Sequence, residues 1–242
     1  MTCSEMAQVE SCNSGPTLPR YLLRRSPLSW ALISILFLFI SCSSIPQERP
    51  VPAENRNPLE YIQILESAER VKSLQVERVV ENLELRAGDL AADIGSGSGL
   101  FTIPIAEKVQ PGGKVYAVDI EEELLQYVQA LALRSGLKNV ETVLADELDP
   151  RIPEKVDFVL MCDTLSYISD KPIYIQGLTR YLKPGASVAI IDRQGEWPPH
   201  LEQGKYTVRE LDRWMDNAGL EKIDSYRFHS KAFFNVYRFD GR

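Results

Sequence analysis

The spacing of apolar positions changes along this chain, and the changes mark out its elements. Asn57, Pro58 and Glu60 supply a capping side chain, a proline at the first helical position and an acid three residues after the cap. They predict a helix running to about Arg70. A second helix is predicted over 75–83, where Val76, Val79, Val80 and Leu83 share one face; both helices are expected to pack on a sheet or cover a cleft. Leu90, Ala91, Ala92 and Ile94 then form a short apolar strand that runs into Gly95, Ser96, Gly97, Ser98 and Gly99. A helix follows over 101–109, stopped by Pro111, Gly112 and Gly113, and a strand over 114–118 ends at Asp119. An amphipathic helix over 121–135 carries Leu124, Leu125, Val128 and Leu131 and closes on Gly136. Strands are predicted over 139–144 and 155–161, then a helix over 173–181, a Leu-Lys-Pro-Gly turn at 182–185 and a strand over 186–192. The loop 195–204 is long enough to act as a lid or a substrate wall. Thr207 and Glu210 form a capping box for a helix ending at Gly219, and strands over 222–227 and 232–238 close the chain. Strands alternating with helices imply an α/β domain with a mostly parallel sheet. A helix followed by two successive strands implies an antiparallel edge strand.

The segment before residue 57 has a different texture. Residues 28–40 are apolar and uncharged, too short for a hydrocarbon core that needs ~20 residues but suited to the central region of a signal peptide. Residues 43–57, with Pro46, Pro50 and Pro52, read as an extended tether. The chain thus divides into a leader (1–42), a tether (43–57) and a folded domain (58–242). Phe39, Ile40, Ser41 and Cys42 resemble the lipobox of bacterial lipoproteins, in which the cysteine is lipidated. That resemblance implies a membrane-anchored, extracytoplasmic domain; a cytoplasmic one follows if the leader is misread.

Charge narrows the chemistry. The chain has a formal charge of -7; without residues 1–41, which hold Arg20, Arg24, Arg25, Glu5 and Glu10, it has 24 basic and 32 acidic side chains. Such a balance disfavours nucleic acid as a partner and leaves a small molecule as the expected one. The four cysteines, Cys3, Cys12, Cys42 and Cys162, show neither a disulfide framework nor zinc spacing, and two histidines give little material for a metal site. Cys162 has no basic neighbour to activate it and reads as a packed small residue.

The glycine-rich turn is where chemistry concentrates. Glycines at alternate positions allow positive φ and let a ligand lie against bare backbone. The dinucleotide spacing fails at Leu100, and the lysine of a phosphate-binding loop is missing. Asp93, two residues before Gly95, would repel a pyrophosphate but suits a ligand bearing an ammonium and a sulfonium. Asp119, at a strand end about 20 residues beyond the turn, occupies the place where α/β cofactor folds grip a ribose.

Asp-x-Gly-x-Gly-x-Gly from Asp93 to Gly99 resembles the first motif of the class I S-adenosylmethionine-dependent methyltransferases. The order that follows is similar too: Asp119, Asp146, Cys162-Asp163-Thr164, then Leu182-Lys183-Pro184-Gly185. The resemblance spans residues 66–238. It implies a Rossmann-like sheet of seven strands with helices on both faces, and S-adenosylmethionine held by Asp93, Gly95, Ser96, Gly97, Gly99, Asp119, Ile120, Asp146, Glu147 and Asp163. It assigns Asp146 to the adenine amino group. Glu69, Arg70 and residues 75–79 also resemble a group of predicted bacterial methyltransferases. Relatives often continue after Cys-Asp-Thr with Tyr-His-His, whereas this chain has Leu165, Ser166 and Tyr167, so the acceptor chemistry stands apart. If a proton must leave the acceptor, Asp163, Tyr167 and His200 are the candidates to take it.

Two other classes stay open. Tyr167 and Lys171 give the Tyr-x-x-x-Lys spacing of short-chain dehydrogenases, although the glycine turn lacks that family's pattern. The other is a non-catalytic S-adenosylmethionine- or nucleoside-binding module of methyltransferase fold, exported and tethered to the membrane. The acceptor and the oligomeric state are not legible in the sequence.

Overall fold

One sheet carries the fold: β1 (Leu90–Ile94), β2 (Lys114–Asp119), β3 (Val140–Leu144), β4 (Val156–Cys162), β5 (Leu182–Arg193), β6 (Leu220–Tyr226) and β7 (Ala232–Phe239). The computed structural model describes residues 57–227 and 231–241. The leader, Cys42 and nearly all of the tether therefore lie outside the described residues. Among the described residues no helix is long and apolar enough to cross a membrane.

The strands lie in the order β3-β2-β1-β4-β5-β7-β6. Pairing is parallel from β3 through β5, and β7 is antiparallel to both β5 and β6. The reversal expected at this end of the sheet is thus made by β7, one place in from the edge. Among the described residues seven α-helices flank the sheet: α1 (Pro58–Leu65), α2 (Ala68–Leu74), α3 (Val76–Glu81), α4 (Thr102–Lys108), α5 (Glu122–Arg134), α6 (Lys171–Leu178) and α7 (Val208–Asn217). Successive strand residues face opposite sides. Ala91, Phe158 and Leu160 join Val79, Ile105 and Val128 of α3, α4 and α5 in one core. Ala92, Val159 and Met161 join Ile175, Leu178, Leu211 and Met215 of α6 and α7 in the other. With both faces covered, β4 must be apolar at almost every position, as its sequence is.

Local signals set several ends as expected. Asn57 Oδ1 accepts the Leu59 N–H at 3.1 Å ahead of Pro58, and Thr207 and Glu210 close their capping box. Two expectations need correction. The first helix stops at Leu65 rather than near Arg70, because Ser67 turns extended (ψ 139°) and restarts the chain as α2. Residues 182–185 are not a separate turn: β5 already begins at Leu182, which pairs with Val156, and the register shifts before Phe158.

Candidate functional site

β1 ends in a turn whose three glycines hold φ of +74° (Gly95), +54° (Gly97) and +82° (Gly99). Two of them are demanded by the protein's own packing. A Cβ on Gly95 would come closer than 3.0 Å to the Thr164 side chain, and one on Gly99 would lie 3.2 Å from Val128 on α5. Gly97 is different. Its nearest neighbour would be the tip of Leu65, at 3.0 Å, so among the described residues only the end of one flexible side chain, from α1, lies closely over the middle of the turn.

Hydrogen bonds fix the turn from beneath. Gly95 and Ser96 donate their N–H groups to Val118 O at 2.8 and 3.0 Å, and Gly97 donates to Asp119 Oδ2 at 2.9 Å. Glu121 N–H binds the other Asp119 oxygen at 3.1 Å. A carboxylate has about four lone-pair sites, so both oxygens can still accept from hydroxyls. Burial raises the Asp119 carboxyl above its ordinary value. Asp93 is buried and accepts the Thr102 hydroxyl at 2.6 Å, joining the residues before and after the turn. Its burial pushes the carboxyl up to about 6.

The segment after β4 meets the turn from the side. Thr164 Oγ1 donates to Ile94 O at 3.1 Å, and Asp163, at φ +50°, gives its N–H to Ile191 O at 2.8 Å. Arg70 of α2 pairs with Asp163 Oδ2 at 3.0 Å, and its second nitrogen donates to Leu65 O at 3.3 Å. The structure therefore brings Asp93, the glycine turn, Asp119 and Asp163 to one end of the central strands. Ile120 stands exposed after β2. Asp146 is exposed and paired with Arg151 at 2.6 Å, and Glu147 beside it is exposed. Tyr167 and His200 are both exposed, His200 on a short 3-10 turn at Pro199–Gly204. Burial holds the Cys162 thiol well above its ordinary value, consistent with a packed residue. Lys171 is buried, its Nζ donating to Ile168 O at 2.9 Å and standing 5.7 Å from the Tyr206 ring. The Tyr-x-x-x-Lys spacing therefore lacks the accessible ammonium that a dehydrogenase needs.

A family model described as "Methyltransferase domain" matches residues 85–223, from just before β1 into β6. The chain belongs to the methyltransferase domain family. Among curated proteins, nocamycin O-methyltransferase of Saccharothrix syringae is 31% identical over 123 residues, covering 50% of this chain and 43% of that one. Demethylmenaquinone methyltransferase of Staphylococcus carnosus (strain TM300) is 26% identical over 129 residues, 53% of each chain. The chain spans about half the length of the curated relatives it matches. Among solved structures, a SAM-dependent methyltransferase from Aquifex aeolicus superposes with a TM-score of 0.66 at 28% identity, covering 76% of this chain and 99% of that one.

In this methyltransferase domain one strand-end acid had no role assigned by the sequence. Asp192, at the end of β5, is buried; its Oδ2 accepts Ser166 N–H at 3.1 Å and Tyr206 O–H at 2.9 Å. Tyr206 also packs against Trp197 and Trp214, each at 5.7 Å between ring centroids. These contacts pin residues 195–206 to the post-β4 turn, so the loop is an anchored wall rather than a free lid.

Burial pushes the Asp192 carboxyl up to about 6. A carboxyl that holds its proton more tightly folded than unfolded adds stability below about pH 4, and loses it as pH rises through about 6. For a displacement of this size the span is about 3 kcal/mol. Asp192→Asn should flatten the decline in urea-unfolding free energy between about pH 4 and 7. An unchanged slope would place the decline elsewhere.

Proposed function

We propose that this domain binds S-adenosylmethionine and transfers its methyl group to a small-molecule acceptor. The observation that carries the reading is the middle of the glycine turn, where Gly97 holds positive φ with only the tip of Leu65 above it, beside a carboxylate already oriented by backbone N–H groups. Two further features suit such a ligand. The buried hydroxyls of Ser96 and Ser98 have no hydrogen-bond partner among the described residues, and Asp93, Asp119 and Asp163 supply negative charge without a phosphate-binding lysine. Bound there, the cofactor supplies a methyl group made electrophilic by its sulfonium.

The chain's residues hold and screen. Asp119 would take the ribose hydroxyls, Ile120 would flank the base, and Gly95–Gly99 would carry the methionine portion on bare backbone. Asp146 and Glu147 would face the adenine, with Asp146 paired to Arg151 at 2.6 Å. In-line displacement asks mainly for alignment and exclusion of water, which the anchored 195–206 wall supports. Of the three proton acceptors considered, Asp163 is the one at the strand ends and partly buried, whereas Tyr167 and His200 are exposed. The two curated relatives carry different acceptors in their names, so neither name passes to this chain. The acidic balance of the domain favours a small molecule over nucleic acid.

Thermal unfolding with added ligand tests the reading. S-adenosylmethionine at about 100 times its Kd should stabilise the protein by about 2.7 kcal/mol, a rise of several degrees in Tm. No shift with S-adenosylmethionine alongside a shift with ATP or NAD would overturn it. The reading includes a tether at the membrane through the apolar run 28–40 and Cys42, supported by sequence alone. Palmitate labelling should be lost in Cys42→Ala; equal labelling would remove the anchor.

A further inference from the structure

We infer that Arg70 is a specificity-determining residue: it reads the carboxylate of the ligand's methionine portion, and in doing so fastens α1 and α2 over the glycine turn. The inference rests on the proposed cofactor. S-adenosylmethionine carries two cations and one anion on its amino-acid end. The strand ends answer the cations amply, with Asp93, Asp119, Asp163 and Asp192 gathered there. A carboxylate placed among these acids needs a cation of its own, or it is repelled.

Arg70 is positioned to be that cation. Its guanidinium is bound to Asp163 at 3.0 Å, and Asp163 directly precedes Thr164, the residue packed against Gly95. Its other hydrogen bond goes to Leu65 O at 3.3 Å, and the Leu65 side chain lies over Gly97. Arg70 therefore touches both segments that border the middle of the turn. Two hydrogen bonds use two of the five N–H donors of a guanidinium, so it can hold Asp163 and accept a second carboxylate together. Its side chain is 23% exposed, neither sealed in protein nor free in water. Lys171, another basic group near these acids, is buried and committed to Ile168 O.

The consequence for α1 and α2 follows from how lightly they are held. Of their residues only Ile62 is buried. The other ties to the sheet side include Leu74 packed against the core around Val79 and Ile105, the Leu65 contact, a Tyr127 O–H to Glu66 bond at 3.0 Å, and Arg70 itself. Segments with so few buried contacts open locally at low cost. A ligand carboxylate on Arg70 adds a charge-assisted tie at the point where α1 and α2 meet the site.

Titration calorimetry of the full chain with S-adenosylmethionine and with decarboxylated S-adenosylmethionine, which keeps both cations and loses the carboxylate, tests this. Wild type should prefer the carboxylated ligand by roughly 10- to 100-fold. Arg70→Gln should reduce that preference to about threefold or less, by weakening the carboxylated ligand alone. Arg70→Lys, which keeps the charge but not the fork, should retain an intermediate preference. Equal affinity of wild type for the two ligands, or equal weakening of both by Arg70→Gln, would overturn the role of Arg70 while leaving the cofactor reading intact. Binding of neither ligand by wild type would overturn both.

Discussion

Gly97→Val should weaken S-adenosylmethionine binding by at least about 100-fold while the protein stays folded. The backbone at Gly97 sits at φ +54°, a region that Gln75, Glu84, Arg151 and Asp163 of this same chain also occupy. A side chain there is strained, at about 1–2 kcal/mol and at the upper end for a β-branched residue, but the conformation is not forbidden. Among the described residues the only close atom is the Leu65 tip, which can turn aside. The protein can thus accommodate the new methyl groups, whereas a ligand lying on the same bare backbone cannot. Gly95→Val is the less informative change, since it drives into Thr164 and would disturb the turn itself. Calorimetric affinity and Tm measured on the same Gly97→Val sample separate the two effects. Unchanged affinity would mean that the ligand does not use this face of the turn.

Gly204→Ala should have the largest effect on stability, lowering it by about 3 kcal/mol or more and Tm by roughly 6–12 °C. An added Cβ at Gly204 would fall far inside 3.0 Å of the Ser166 carbonyl oxygen, a backbone atom with no rotamer to escape into. Neither partner can retreat cheaply. Ser166 is held by its N–H bond to Asp192, and the neighbouring Asp163 and Thr164 are tied to Ile191 O and Ile94 O. On the other side, Tyr206 is clamped to Asp192 and to the ring of Trp197. Relief therefore requires the wall to lift from the post-β4 turn, with loss of the Asp192 network. Gly177→Ala is the control, since nothing lies within 4 Å of its position in α6 and alanine is the better helix former. A similar Tm for both variants would show that the wall is not tightly seated.

Elements whose signal is local were legible in the sequence. The capping box at Thr207, the proline start at Pro58, the glycine turn and the unbroken apolar run of β4 each follow from a few neighbouring residues. What the sequence did not show depends on distant partners. The break after Leu65 places Leu65 over Gly97 and Arg70 against Asp163, 93 residues away, and no periodicity within 57–70 encodes that. The place of β7 between β5 and β6 is a choice of pairing partners that neither strand's own run of residues encodes. Asp192 could have been found, because it ends a parallel strand just as Asp119 does, and the same reasoning applied to it would have marked it. Tyr206 and Lys171 could not, since an aromatic or a lysine becomes part of a buried polar cluster only through the fold.

A crystal structure of the full chain with S-adenosylhomocysteine tests the central claim most directly. The adenosine should lie at the ends of β1 and β2 with its ribose hydroxyls on the Asp119 carboxylate, its amino-acid portion against Gly95–Gly99, and Leu65 displaced or folded over it. A diphosphate-bearing molecule seated in the turn, or a turn filled by Leu65 with the nucleoside bound elsewhere, would contradict it.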